Sequence, residues 1–470
     1  TQVVFASGMS SAALAERLAK EKDIEYAVPD RRKTRAAVPN DPYYAAGPAV
    51  NQANLRGGPV AGQWYLRAPT SAVLSAINAE AAWDVPAATS TPVVVAVLDT
   101  GVRKDHPDLA GQLLNGYDMV GEDKNDQGQL LGTFLTSKDG DGRDADPSDM
   151  GDGITAAEAN DSAGLFYQCT TLDSTTGKYL EELSSWHGTQ VSGIIGAATD
   201  NGIGMASIGR ERVRVLPVRV LAKCGGWDSD IIAGMNWAAG LTVDGQTNSN
   251  PAKVLNLSLG GTGACSAAYR STVADLNARG VVVVASAGNG RGQEASEPAN
   301  CPGVIGVGGV RHEGDKVGYS DIGPELSISA PAGNCADTVQ EPYCHYPILT
   351  TANSGNFNPV AGAAGAIYTD AYNATIGTSF SAPLVSGTAA LMLSVKPDLT
   401  PTQIRQVLMS TARVFPVYND IQNCQAPQNG VVQDQCNCTT STCGAGMLDA
   451  SAAVRAAANV GSGGGGGSSG

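Results

Sequence analysis

Basic residues are scarce in this chain: 30 lysines and arginines face 45 aspartates and glutamates, a formal charge of −15. Phosphate binding needs a clustered basic surface and none is visible, which argues against nucleic acid as a partner. No run of 18 consecutive apolar residues occurs, so no membrane span is expected. The first residues, TQVVFASGMSS, lack the basic start and long apolar stretch of an export signal, and the expectation is that any such signal has already been removed. Histidine is rarer still, with four in the chain, His106, His187, His312 and His345, so a site that needs imidazole has few candidates. The crowded cysteines from Cys436 to Cys443 have no histidine near them, which disfavours a metal cluster.

What is present describes an enzyme-sized globular chain. Its 470 residues are 42% apolar, and 58 are glycine, enough for a large core rich in turns. Length alone permits two to four domains. The ten cysteines are even in number and read as disulfides formed in an oxidising compartment. Cys335 with Cys344 would close a short hairpin and Cys265 with Cys301 would tie a helix to a loop, but spacing alone leaves the connectivity open.

Ser10 to Lys22 has helical spacing, and IEYAVPD after it reads as a strand. The stretch RRKTRAAVPNDP is basic, proline-containing and exposed in character, which suits either a processing site or an ordinary charged loop. From Thr91, continuously apolar β-branched runs alternate with small-residue helical stretches: TPVVVAVL, HGTQVSGIIGAA, VRVLPVRVL, DIIAGMNWAA, KVLNLSL, a helix after Cys265, and VVVVASAG. This pattern predicts an α/β fold of three layers, a mostly parallel twisted sheet with helices on both faces. In such sheets function gathers beyond the carboxyl ends of the strands. Asp449 to Ala458 reads as a last helix, and residues 458–470 as a Gly/Ser linker.

Three segments sit at such places. In VVVAVLDTG, Asp99 ends a buried strand. In WHGTQVSGIIG, His187 opens a helix. In IGTSFSAPLVSGTAALML, Ser379 begins a small-residue helix, where free backbone N–H groups and the positive helix end favour a reactive hydroxyl. Alone, each has a plainer explanation: a turn-capping aspartate, a structural histidine, an N-cap serine.

Together DTG, HGT and GTSFSAP, in the order Asp, His, Ser, resemble the signature blocks of the subtilase family, and the order excludes the chymotrypsin and α/β-hydrolase arrangements. The resemblance covers roughly residues 91 to 457 and is closest to secreted bacterial enzymes with disulfides. It implies a secreted, extracellular serine endopeptidase of broad specificity. Ser379 would be the nucleophile, His187 the general base, Asp99 its orienting carboxylate, and Asn289 the oxyanion donor beside the Ser379 backbone N–H.

It also implies that Ser258, Leu259 and Gly260 form the strand that pairs with extended substrate, with Ser286, Ala287 and Gly288 as the opposite wall of the first pocket. The pocket floor is expected within Ala295 to Ala299, although Glu297 and Cys301 depart from the commonest family pattern. Residues 1–36 resemble the C-terminal part of an inhibitory propeptide, and PNDPYY and QWYL the start of a mature chain. The peptidase domain would then span 37–457, with cleavage near Arg35 to Val38.

Between the Asp and His blocks lies SKDGDGRDADPSDMGDG. Its six carboxylates, Asp139, Asp141, Asp144, Asp146, Asp149 and Asp152, alternate with small residues as hard oxygen ligands for structural calcium would, though not in EF-hand spacing. A solvated acidic loop is the plainer alternative. A second calcium loop of subtilisins looks shortened here to AATDNGIGMA, so that site is expected to be absent. The partners implied are protein or peptide substrates and the chain's own propeptide, and nothing requires more than a monomer. Two other classes compete: a binding module that kept the fold and lost catalysis, and an esterase using the same nucleophile. The complete triad with Asn289 counts against the first, and the lack of a GxSxG elbow against the second.

Overall fold

A computed structural model describes residues 4, 6–24, 27, 38–47, 61–125, 127–333, 346–370 and 375–461. The chain divides into two compact units, Thr1–Val38 and Pro39–Gly470. In the first, helix α1 runs Ser11–Leu18, with the Ser10 hydroxyl accepting the Ala13 N–H at 3.2 Å. Ser10 is thus the cap that starts this helix, not a member of it. Most of the expected strand IEYAVPD lies outside the described residues.

The second unit begins with the short helices α2 (Pro42–Ala45) and α3 (Ala79–Trp83), then β1 (Val93–Asp99), β2 (Tyr117–Asp118), α4 (Ala156–Ala159), β3 (Leu172–Asp173) and β4 (Lys178–Tyr179). There follow α5 (His187–Gly196), β5 (Val213–Arg219), α6 (Asp228–Ala238), β6 (Val254–Leu257), α7 (Ala267–Ala278), β7 (Val282–Ser286), β8 (Ile305–Val310) and β9 (Leu326–Pro331). The chain continues through β10 (Thr350–Asn353), β11 (Ala366–Thr369), α8 (Ser381–Val395), α9 (Pro401–Ser410) and α10 (Ala450–Ala457).

Seven strands form one sheet in the order β2-β5-β1-β6-β7-β8-β9, every pair parallel. The central strands β1, β5, β6 and β7 read as apolar runs because both faces of the sheet are covered. Alternate residues of β1 go to opposite layers: Val95 and Val97 belong to the core with α5 and α8, while Ala96 and Leu98 belong to the core with α6. The strand period of two therefore sorts one valine-rich segment into two cores, as three layers require.

The central helix α8 is buried along its whole length. With the turn before it, Thr378–Val395 is long and apolar enough by composition to cross a membrane, yet it is 94% buried within the protein. Its hydrophobicity is spent on the core, where each fully buried Leu or Val side chain contributes about 1.5–3 kcal/mol.

Disulfides join Cys169–Cys224, Cys265–Cys301, Cys424–Cys436 and Cys438–Cys443. The Cys265–Cys301 bridge ties the start of α7 to the loop before β8, as the spacing allowed. The other pair considered, Cys335–Cys344, lies outside the described residues. The two C-terminal bridges pack with Phe415 and Met447 into a small separate core.

Candidate active site

β1 ends on Asp99, fully buried, and its neighbour Thr100 donates a backbone N–H to Asp99 Oδ1 at 2.8 Å. Helix α5 starts one residue after Trp186, whose left-handed φ of 53° turns the chain so that His187 faces β1. The helix can come this close because position 188 is glycine: a Cβ there would lie 2.0 Å from the Gly101 carbonyl oxygen. His187 Nδ1 consequently lies 2.8 Å and 2.9 Å from the two oxygens of Asp99.

Ser379 sits in a single helical turn, Thr378–Phe380, immediately before α8. Gly377, with a φ of 135°, supplies the backbone bend leading into it. The Ser379 hydroxyl donates to the Ser258 carbonyl at 3.2 Å, and the Ser258 hydroxyl donates to the Ser379 carbonyl at 2.7 Å. Ser258 is itself fixed by Asn256 Nδ2 at 2.9 Å, and Asn256 by the Ser386 hydroxyl at 2.8 Å. This buried polar chain locks the end of β6 to the start of α8. The ring of Phe380 packs on His187, centroids 5.8 Å apart.

Asn289, exposed just beyond β7, accepts the Thr378 N–H on Oδ1 at 3.0 Å. With its oxygen so engaged, the carboxamide Nδ2 is left as the donor beside Gly377 and the Ser379 N–H. The loop carrying it is held by Asp321, which accepts the N–H groups of Gly290 and Gln293 at 2.8 Å and 2.9 Å.

The expected pocket walls are brought to face one another. Gly261 and Glu297 exchange both backbone hydrogen bonds at 2.9 Å, and the Ser296 N–H donates to the Ala287 carbonyl at 2.7 Å. Segment 295–299 thereby spans the gap between Ser258–Leu259–Gly260 and Ser286–Ala287–Gly288. A Cβ at Gly260 would meet Glu297 O and Ser296 Cβ, both at 2.9 Å, so the wall needs glycine there.

The six aspartates of the acidic loop are not gathered. Among the described residues they supply no group of three carboxylates with oxygens within 4.8 Å of one another. Asp139 pairs with the buried Arg219 at 2.5 Å, and Asp146 with Lys104 at 2.7 Å. Asp144 caps the Asp146 N–H at 2.8 Å, and Asp141 is exposed. Asp149 accepts the Thr100 hydroxyl at 2.7 Å and the Gly151 N–H at 2.8 Å, while Asp152 accepts the N–H and the hydroxyl of Ser185, both at 2.7 Å. Apart from the exposed Asp141, these carboxylates are each engaged by donors or cations of the protein. Protein donors and cations compensate these charges in part, although Asp152 still repels Asp149.

Two of these carboxylates stand behind His187. Thr100, bound to Asp149, accepts the Gly188 N–H at 3.0 Å, and Ser185, bound to Asp152, accepts the His187 N–H at 3.2 Å. Burial alone would depress the imidazole pKa, but the charge and hydrogen bond of Asp99, with Asp152 and Asp149 behind, raise it. Burial and repulsion from Asp152 push Asp149 up to about 7, and burial pushes Asp118 up to about 7 and Asp108 to about 6.

These shifts set a pH trend in stability. Each raised carboxyl holds in the folded chain a proton that an unfolded chain releases near pH 4, so stability falls as pH rises from about 4 to 7. Raised His187 adds the same sign at higher pH, and His106, lowered by burial, opposes them. The Ser379→Ala chain, spared self-cleavage, is therefore expected to melt at a lower temperature at pH 8 than at pH 5. A calorimetric midpoint that rises over this interval contradicts the assignment.

Fold and site together define the class: a doubly wound parallel α/β protein with an Asp99–His187 pair at the carboxyl edge of the sheet and Ser379 beside the Phe380 ring that packs on His187, in the chain order Asp, His, Ser. The chain belongs to the subtilase family, whose pattern residues 90–446 match. It is 37% identical over 386 residues to the extracellular protease of Xanthomonas campestris pv. campestris, covering 82% of this chain and 54% of that protein. With the extracellular basic protease of Dichelobacter nodosus it shares 33% over 433 residues, 89% of this chain and 60% of that protein. The chain thus spans little more than half the length of these relatives. Among solved structures, that of a protease from Pseudoalteromonas arctica superposes with a TM-score of 0.65 at 37% identity, covering 90% of this chain and 100% of that one.

Proposed function

We propose that this protein is a secreted serine endopeptidase acting through an acyl-enzyme. The observation that carries the reading is the double contact of Asp99 with His187 Nδ1 in a chain of the subtilase family. That contact fixes the proton on Nδ1 and turns the basic Nε2 outward. Ser379, whose hydroxyl rests on the Ser258 carbonyl, gives up its proton to His187 as it attacks a peptide carbonyl. The negative oxygen that forms is met by Asn289 Nδ2 and the Ser379 N–H, and His187 returns the proton to the leaving amine.

An extended substrate segment adds to Ser258–Gly260 as a strand, and its side chain before the cut enters between Leu259 and Ser286–Gly288. Residues 1–36 act as the C-terminal part of an inhibitory propeptide in this reading, which the unit boundary at Val38–Pro39 supports. Residues 37–457 are the peptidase and 458–470 a linker. Secretion is supported by the disulfides and by two relatives named as extracellular. Structural calcium is general among subtilases, but the acidic loop does not fit such an ion, and no catalytic step passes through one.

The test is covalent labelling. A fluorophosphonate should attach to the full chain at one site, found by peptide mass spectrometry on Ser379, and block casein hydrolysis in proportion to labelling. Labelling elsewhere, or none on a folded protein, would sink the proposal.

A further inference from the structure

A cavity of about 630 Å3 opens beside His187. Its lining includes His187 and Phe380 but no residue of Ser258–Gly260 or Ser286–Gly288. The cavity is therefore distinct from those walls, and Phe380, the residue after Ser379, brings it alongside the reacting serine. Since His187 hands its proton to the departing amine, the cavity on the His187 side lies where the chain after the cut bond must run.

One wall is the segment Glu181–Trp186 and the other is the β10–β11 hairpin, here joined by Trp186 Nε1 donating to the Gly355 carbonyl at 2.8 Å. The lining carries two carboxylates, Glu181 and Glu182, and no lysine or arginine. Glu181 is exposed, and Glu182 is held in place because its Oε1 accepts the N–H and hydroxyl of Thr171 at 3.0 Å and 2.9 Å. Gln190, from α5, also lines the cavity, is only 1% exposed, and its Oε1 has no hydrogen-bond donor. A buried acceptor without a donor is costly unless something supplies one. Lys138, on the neighbouring acidic loop, is engaged with the Phe357 carbonyl at 2.6 Å.

We infer that this cavity selects a basic side chain, lysine or arginine, in the first residues after the cut bond, with Glu181 and Glu182 as its specificity-determining residues and Gln190 Oε1 as an added acceptor. The inference rests on the endopeptidase reading of the same site. Two carboxylates at a partly enclosed mouth attract a cation over distances comparable to the screening length, so the preference weakens in salt.

The experiment uses internally quenched peptides that are identical up to the cut and carry Arg, Lys, Leu or Glu after it. For the full chain at low salt, kcat/KM for the Arg peptide is expected to exceed that for the Glu peptide on the order of tenfold. The ratio should shrink in concentrated NaCl and fall to about 1 in Glu181→Gln/Glu182→Gln. Equal rates on the Arg and Glu peptides overturn the inference while leaving the peptidase reading intact.

A parent that cuts no peptide sinks the peptidase reading instead, and calorimetric titration of Ser379→Ala with Arg-Gly-amide and Glu-Gly-amide then decides. Binding of the first alone, lost with both glutamines, supports a cation site. Binding of neither, or of both alike, overturns it.

Discussion

Replacing Ser379 with alanine should lower kcat on casein or a peptide substrate by about 10^6-fold, the size known for loss of this serine in subtilisin, a member of the same family. The structural cost should be small. Ser379 is partly exposed, its hydroxyl donates to the Ser258 carbonyl at 3.2 Å, and alanine suits the start of α8. What the variant keeps is informative: Asn289, the backbone N–H of residue 379 and both pocket walls remain, so rates about 10^3 to 10^4 above the uncatalysed reaction should persist. A variant retaining even a hundredth of parental activity after purification from any active protease would mean that another group attacks the carbonyl.

The sequence and the structure agree where a segment's fate is decided locally. β1, β5, β6 and β7 are legible as apolar runs because a strand covered on both faces needs apolar residues at every position. β8, IGVGGV, is not legible as a strand, because three glycines in six residues argue for a turn. Its glycines are there for room: a Cβ at Gly306 would lie 2.7 Å from the Ala299 carbonyl, and one at Gly308 would lie 2.6 Å from the Ser329 hydroxyl. That crowding comes from partners outside the strand.

The same division holds in the site. Asp99, His187, Ser379 and Asn289 each carry a local motif, whereas Thr100 and Thr378, inside the same motifs, and Asp321, which hold them in place, carry no chemical signal of their own. The acidic loop is only half legible for the same reason. Its carboxylates are visible in one stretch, but their donors are distant: Thr100 lies 49 residues before Asp149, and Arg219 lies 80 residues after Asp139. A dense set of charges shows that compensation is needed. It does not show whether an ion or the rest of the chain provides it.

Asp99→Asn probes the proposed base more sharply than removing His187, since it preserves shape. The carboxylate presents both oxygens to Nδ1, at 2.8 Å and 2.9 Å, while Oδ1 also accepts the Thr100 N–H. An asparagine keeps its carbonyl oxygen on Thr100, where a donor waits, and so turns its NH2 toward the imidazole. Nδ1 must then accept, the ring proton moves to Nε2, and that nitrogen can no longer take the Ser379 proton. The expected loss is about 10^4-fold in kcat with little change in KM, because no substrate contact is touched. Fluorophosphonate labelling of Ser379 should slow in parallel, since it needs the same base. Combined with Ser379→Ala, the change should cost almost nothing further, as groups that act in one proton transfer are not additive. A loss below about tenfold in a folded Asp99→Asn chain, or a double variant far slower than Ser379→Ala, would show that Asp99 serves the fold and not the tautomer of His187.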